Sequence, residues 1–197
     1  MQTTMTPLII GISGSSGVLY GIRLLEILQQ QDATETHHVL TQSARLTIPI
    51  ETDYSVDDVL SLADVEHSPD DLTAAIASGS FVTGGMIVAP CSMKTLSGIV
   101  HSYADNLLIR AADVCLKEQR RLVVMPREAP LHVGHCKLLY EAAQMGVVIM
   151  PPMPAFYGRP RTIDDLVNNT LGRILDMFGI DAGTVQRWEG TGRCQPP

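Results

Sequence analysis

Three short apolar runs, "MIVAP" at 86–90, "LVVMP" at 122–126 and "VVIMP" at 147–151, each end in proline. Runs of Val, Ile, Leu and Met without polar alternation suit strands covered on both faces, the condition of a parallel sheet. Proline ends the ladder because it has no N–H to donate, and it turns the chain outward. Leu8–Ile12 and His38–Thr41 read as two more strands. Between them, Val18–Gln31, Ala44–Ile50, Asp71–Ser78, Thr95–His101, Ala104–Arg121, Lys137–Met145 and Ile163–Phe178 read as helices. Strand and helix alternate, so the expected fold is α/β, an open doubly wound parallel sheet in three layers. A chain of 197 residues is expected to form one domain, 1–197. Within it, 51–71 reads as a surface excursion and 190–197 as a poorly ordered tail.

In open α/β sheets ligands gather outside the carboxyl ends of the strands. Four segments fall on that rim. The first is the turn Gly11-x-x-Gly14-x-x-Gly17, whose spacing is neither the dinucleotide fingerprint nor a P-loop. A tight strand-to-helix turn needs such glycines for packing alone. With Ser15 and Ser16 they also let a ligand approach the backbone where a helix start favours negative charge. In "PCSMKTLSG" (90–98), Ser92 reads as a helix N-cap, and Lys94 and Thr95 add polar groups beside it. In "MPREAP" (125–130), Arg127 and Glu128 stand between two prolines just past a buried strand. A surface ion pair there would contribute little. A fixed arginine suits a phosphate oxygen, and its carboxylate neighbour could move protons. The fourth segment, "PPMPAFYGRP" (151–160), carries Phe156 and Tyr157 on a proline-stiffened loop. Arg173 shares a helix face with Leu166, Asn169 and Met177, and Lys117 sits in a last helical turn, where cations offset the dipole. Leu107, Ala111, Ala112 and Cys115 make one apolar helical face, for burial against the sheet or for self-association.

A net charge of −7 excludes nucleic acid as the main partner, so any anion site must be local. Four scattered cysteines with no C-x-x-C pair point to a reducing cytoplasm. No apolar run reaches membrane-spanning length, and the N-terminus does not read as a signal peptide. No metal is expected. His132-x-x-His135 lacks a nearby third ligand, Cys91 reads as a small core residue, and no Asp-Asp-x-x-Asp motif is present to clamp magnesium on a diphosphate.

Taken together, "GISGSSGVLYGIRLL", "SGSF", "PCSMKTLSGIVHSYADNLLIRAADVCLKEQR", "PREAPLHVGH" and "PPMPAFYGRP" resemble, in that order from about Ile9 to Trp188, the UbiX/Pad family of flavin prenyltransferases. The resemblance implies a flavodoxin-like or Rossmann-like homo-oligomer, commonly a dodecamer, that binds FMN at subunit contacts. It implies transfer of the dimethylallyl group of dimethylallyl monophosphate to N5 and C6 of reduced FMN. The product, prenylated FMN, serves UbiD-type decarboxylases. Carried over position by position, the FMN contacts fall on Gly14, Ser15, Ser16, Thr41, Ser92, Met93, Lys94, Thr95 and Arg127. Prenyl-phosphate contacts fall on Lys117, Tyr157 and Arg173, while Trp188 matches a tryptophan that closes the site. Ser16, Glu128, Arg127 and Lys117 take the catalytic roles. Ser15 stands where the family usually has alanine, and Thr41 where it has serine. The implied chemistry suits these side chains, since a departing phosphate needs cations around its growing charge. Two other readings share the fold and FMN. Cysteine-type decarboxylases usually show Pro-Ala-Ser-Ala-Asn-Thr where this chain has Pro90–Thr95, with Lys94 in place of the asparagine. A non-catalytic FMN-binding subunit of a hydroxyarylic acid decarboxylase would not need Lys117, Arg127, Glu128, Tyr157 and Arg173 together.

Overall fold

The strands are β1 (Leu8–Ile12), β2 (Thr36–Leu40), β3 (Val65–His67), β4 (Gly85–Cys91), β5 (Leu122–Pro126) and β6 (Val148–Ile149). They form a six-stranded, all-parallel sheet of order β3-β2-β1-β4-β5-β6, with the apolar runs of β1, β4 and β5 at its centre. The run "VVIMP" is no central strand: it gives only β6, two half-buried residues at the edge, with a neighbour on one side. Every residue of β1, β2, β4 and β5 is buried, as strands covered on both faces must be. Successive strands run outward from β1 in one direction and from β4 in the other, so the switch point lies between those two. The computed structural model describes residues 6–31, 34–188 and 190; Cys194 and positions 191–197 of the expected tail lie outside them. The chain divides into two units, Met1–Pro152 and Met153–Pro197.

In the first unit, α1 (Val18–Gln29) and α2 (Gln42–Glu51) follow β1 and β2, and α3 (Val56–Leu60) precedes β3. After β4 come α4 (Met93–Val100) and α5 (Leu107–Lys117), and α6 (Val133–Gln144) links β5 to β6. Helix α1 lies so close to the sheet at Gly21 that an added Cβ would run into the Ala89 carbonyl oxygen and the Ile12 side chain. The apolar face of α5 is buried: Leu107, Ala111, Ala112 and Cys115 join the core with Ile9, Met86, Val88 and Val124. Burial against the sheet, not self-association, is the use of that face.

Three expectations change. The stretch 51–71 is not merely an excursion, for it supplies α3 and the edge strand β3. The three-residue β3, "VEH", has no apolar run; it is held by Asp64, whose carboxylate accepts from the Thr36 N–H (2.7 Å) and hydroxyl (2.8 Å). The expected helix at Asp71–Ser78 shrinks to a single 3-10 turn at Ala75–Ala77. Helix α6 starts at Val133, four residues before the expected Lys137, because His132 caps it by accepting the Gly134 N–H at 3.0 Å.

The second unit is built on α7 (Ile163–Asp176), opened by a reciprocal capping box between Thr162 and Asp165. Arg187 closes back on α7 through a two-pronged pair with Asp176 at 2.9 and 3.0 Å. Among the described residues no helix is long and apolar enough to cross a membrane.

Candidate active site

At the carboxyl end of β1 the chain passes through Ser13 to the glycine turn. Gly14 has room only for hydrogen, since a Cβ there would collide with the Cβ of Ser43 in the first turn of α2. The Ser15 hydroxyl is buried with no hydrogen-bond partner, a state that costs free energy until something supplies a partner. Gly17 adopts a left-handed φ of 98° and starts α1 without a side-chain cap. The free N–H groups at that start are met by Glu51, whose carboxylate accepts from Gly17 N–H (2.7 Å) and Val18 N–H (3.3 Å). Burial pushes the Glu51 pKa up. The Ser16 side chain, the two backbone N–H groups and the Arg127 charge outweigh it and hold the carboxyl below its ordinary value.

Thr41 ties β2 to this rim. Its N–H donates to the Ile12 carbonyl at 3.1 Å, and its Oγ1 caps α2 by accepting from Ala44 N–H at 3.2 Å. Beyond β4, Ser92 caps α4: its Oγ accepts the Thr95 N–H (3.2 Å) and donates to Thr95 Oγ1 (3.0 Å). The N–H groups of Met93 and Lys94, in the first turn, remain outside the intrahelical ladder, as at any helix start that favours an anion. Lys94 is exposed, with Nζ 3.7 Å from Asp105 Oδ2. Past β5, Arg127 N–H donates to the Cys91 carbonyl at 3.2 Å, which seats the arginine beside β4. Glu128 is exposed and accepts only a local bond, from Ala129 N–H at 3.1 Å. Cys91 itself is inert packing, for burial pushes its thiol up to about 12.

Gly14, Ser15, Ser16, Thr41, Ser92, Met93, Lys94, Thr95, Arg127 and Glu128 therefore stand along one rim, at the ends of β1, β2, β4 and β5. Lys117 does not. It ends α5, five residues before β5 begins, and a Cβ on Gly79 in the approach to β4 would lie 2.6 Å from its Nζ. That is the amino end of the strands, separated from Arg127 by the length of β5, about 16 Å at ~3.3 Å per residue. There Lys117 pairs with Glu118. Tyr157, Arg173 and Trp188 belong to the second unit. In it, Tyr157 and Trp188 are both exposed and meet edge to face at 6.0 Å, and Arg173 is exposed on α7.

This rim fits a flavin mononucleotide. It offers a buried hydroxyl lacking a partner, N–H groups at the start of α4 outside the intrahelical ladder, and a seated arginine. A mononucleotide carries one phosphate and so needs no pyrophosphate turn, which agrees with the glycine spacing.

The Flavoprotein family model matches residues 2–175. The flavin prenyltransferase UbiX of Salmonella typhimurium is 55% identical over 188 residues, 94% of this chain and 100% of that protein. The chain belongs to the UbiX family of flavoproteins. Among solved structures, the dodecameric FMN-dependent UbiX-like decarboxylase from Escherichia coli O157:H7 superposes with a TM-score of 0.92 at 50% identity, over 94% of this chain and 100% of that one. AnUbiX (PadA1), solved in complex with FMN and dimethylallyl pyrophosphate, gives 0.91 at 44% identity, over 94% and 98%. The doubly wound α/β fold read from the apolar runs is the family's fold.

Two rim residues escape sequence reading. Glu51 reads as the acidic start of a loop, and nothing local says that it folds back 34 residues to the start of α1. Ser13 is hidden by the glycines that follow it. The weak signal for Glu51 is the missing cap of α1: a helix opened by glycine with no acidic residue in its first turn leaves a place for a distant carboxylate. Among the described residues, no group of three or more His, Cys, Asp or Glu is placed to hold a metal ion, and the His132 and His135 rings simply lie against each other at 3.6 Å.

Proposed function

We propose that this chain transfers the dimethylallyl group of dimethylallyl monophosphate to N5 and C6 of reduced FMN, making prenylated FMN for a UbiD-type decarboxylase. The reading rests on near full-length likeness to flavin prenyltransferases, 55% identity across the whole of the Salmonella typhimurium relative. It takes 1–197 as one flavoprotein domain working in the cytoplasm. FMN supplies the nucleophilic ring; the protein's task is to seat that ring, hold the donor's phosphate and handle protons.

Gly14, Ser15, Ser16, Thr41, Ser92–Thr95 and Arg127 hold the flavin, with the Ser15 hydroxyl finding there the partner it otherwise lacks. Ser16, hydrogen-bonded to the Glu51 carboxylate, and Glu128 stand where protons leave and arrive. Arg127, Lys117, Tyr157 and Arg173 meet the phosphate as its charge grows, and Trp188 closes the site. Charge-assisted hydrogen bonds contribute about 1.5–3 kcal/mol each. Three or four of them are on the scale of the roughly 8 kcal/mol of a micromolar ligand, before ordering costs. Since Lys117 lies at the far end of the sheet from Arg127, its part in this site falls to a second copy of the chain. The role thus requires a homo-oligomer, and a dodecamer like that of the E. coli O157:H7 neighbour would supply one.

The test is incubation with FMN, dithionite and dimethylallyl monophosphate, followed by mass spectrometry of the released flavin. One added C5 unit is expected, and unchanged FMN refutes the reading. Glu128→Gln should still bind FMN yet make no product; full turnover in that variant removes Glu128 from the mechanism.

A further inference from the structure

Ser13 is 1% exposed and lies between the last residue of β1 and the glycine turn. A serine between a strand and a helix ordinarily caps that helix, but α1 begins at Gly17 with no side-chain cap. Ser13 instead spends its hydroxyl on the neighbouring strand's loop. Its Oγ accepts the Ser92 N–H at 2.7 Å and donates to the Pro90 carbonyl at 2.9 Å. The Ser13 backbone N–H reaches the same carbonyl at 3.2 Å, and its own carbonyl accepts the Ser15 N–H at 2.9 Å.

The place of this cross-link gives it its consequence. Ladder pairing of β1 with β4 ends at Gly11 and Val88, and β4 slips register against β5 between Val88 and Cys91. Past Val88 the ladder no longer sets the height of the Ser92–Thr95 turn against the Gly14–Ser16 turn. The link runs through Ser13, by its backbone N–H to the Pro90 carbonyl and by the two bonds of its hydroxyl, one of them to Ser92 N–H at the start of the turn. The hydroxyl thereby occupies the Ser92 N–H, leaving those of Met93 and Lys94 at the α4 start.

We propose that Ser13 is a positioning residue for flavin binding: it sets the spacing of the two turns that receive FMN, without touching the flavin itself. The proposal rests on the FMN reading above. Losing the hydroxyl leaves the part-buried Ser92 N–H without that acceptor and removes two of the three bonds from Ser13 to Pro90 and Ser92. That loosens one turn against the other, so the loss appears in flavin affinity more than in folding.

Ser13→Ala is compared with the natural protein by titrating FMN into the apoprotein, recording the visible spectrum of the bound flavin, and measuring kcat and KM at saturating FMN. Expected are an FMN Kd raised about tenfold or more, equivalent to about 1.4 kcal/mol, and a displaced flavin band. With FMN saturating, the KM for dimethylallyl monophosphate should change by less than about twofold, the scatter of a site still intact at its other end. Ser13→Cys keeps the volume while weakening both bonds, and carries the same comparison if the alanine variant fails to fold. Natural FMN affinity and spectrum in whichever variant folds overturns the proposal, and so does loss of fold in both, which would make Ser13 a core residue only. Failure of the unaltered protein to bind FMN would instead overturn the flavin reading itself.

Discussion

His38 makes the fold acid-sensitive by an amount that the structure sets. It lies in β2, paired with Ile10 and Glu66 on the flanking strands, and is 0% exposed. Both ring nitrogens are buried without a hydrogen-bond partner. Burial drags its pKa from 6.5 to about 4; the Glu66 charge resists, and Arg45 and His67 add to the fall. The folded value is depressed, so between these two values the unfolded chain binds a proton that the folded chain refuses, and stability drops as pH falls. Linkage over that interval puts the loss at about 2 kcal/mol by pH 5 and about 3 kcal/mol by pH 4. His38→Leu fills the same space without a titrating group or orphaned nitrogens. Urea unfolding from pH 7.5 to 4 should show the variant at least as stable as the natural protein at neutral pH. The gap should then widen by these amounts on acidification. Parallel curves for the two proteins across that range would refute the argument, because every other ionisable group is common to both.

Glu51→Gln keeps the shape at the start of α1 but removes the charge that Gly17, Val18 and Ser16 face. The Glu51 pKa is lowered, so the stabilisation it gives is present above the unfolded value of 4.5 and lost as pH falls through the folded one. Discounted for exposure, a loss of about 1 kcal/mol at pH 7 is expected, shrinking as the pH falls through the lowered folded value and both proteins come to carry a neutral side chain, as read from urea midpoints. Arg120 donates to the Gly79 carbonyl (2.6 Å), the Phe81 carbonyl (2.7 Å) and Thr83 Oγ1 (3.5 Å), so Arg120→Ala should cost about 2–3 kcal/mol and open 78–84 to proteolysis. Unchanged cleavage of that loop would mean that the packing of Phe81, not Arg120, holds it.

The apolar runs made the sheet legible because strands buried on both faces leave a composition signature that does not depend on partners. "LIIGI" and "MIVAPC" needed nothing else. The edge strand "VEH" left no such mark, for Glu66 is exposed, Val65 and His67 are only half-buried, and its pairing rests on Asp64 reaching Thr36 across 28 residues. The rim followed the same division. Ser92 announces itself as a cap through local sequence, whereas Thr41, read as the end of a strand, proves to cap α2. Glu51 and Ser13 act across 34 and 79 residues, and their work depends on which strands become neighbours. Lys117 shows the limit from the other side. Sequence likeness assigns it a role, while α5 carries it to the amino end of the strands, away from Arg127.

That division between the two ends of a copy has a genetic consequence. On the proposed reading, a lesion at Lys117 leaves its own copy's rim sound and disables a neighbour's, while a lesion at Arg127 does the reverse. One defective allele beside a sound one would then silence sites in both kinds of copy. In a cell expressing both lesions, some sites would draw both intact side chains from different copies, and two inactive alleles would complement each other.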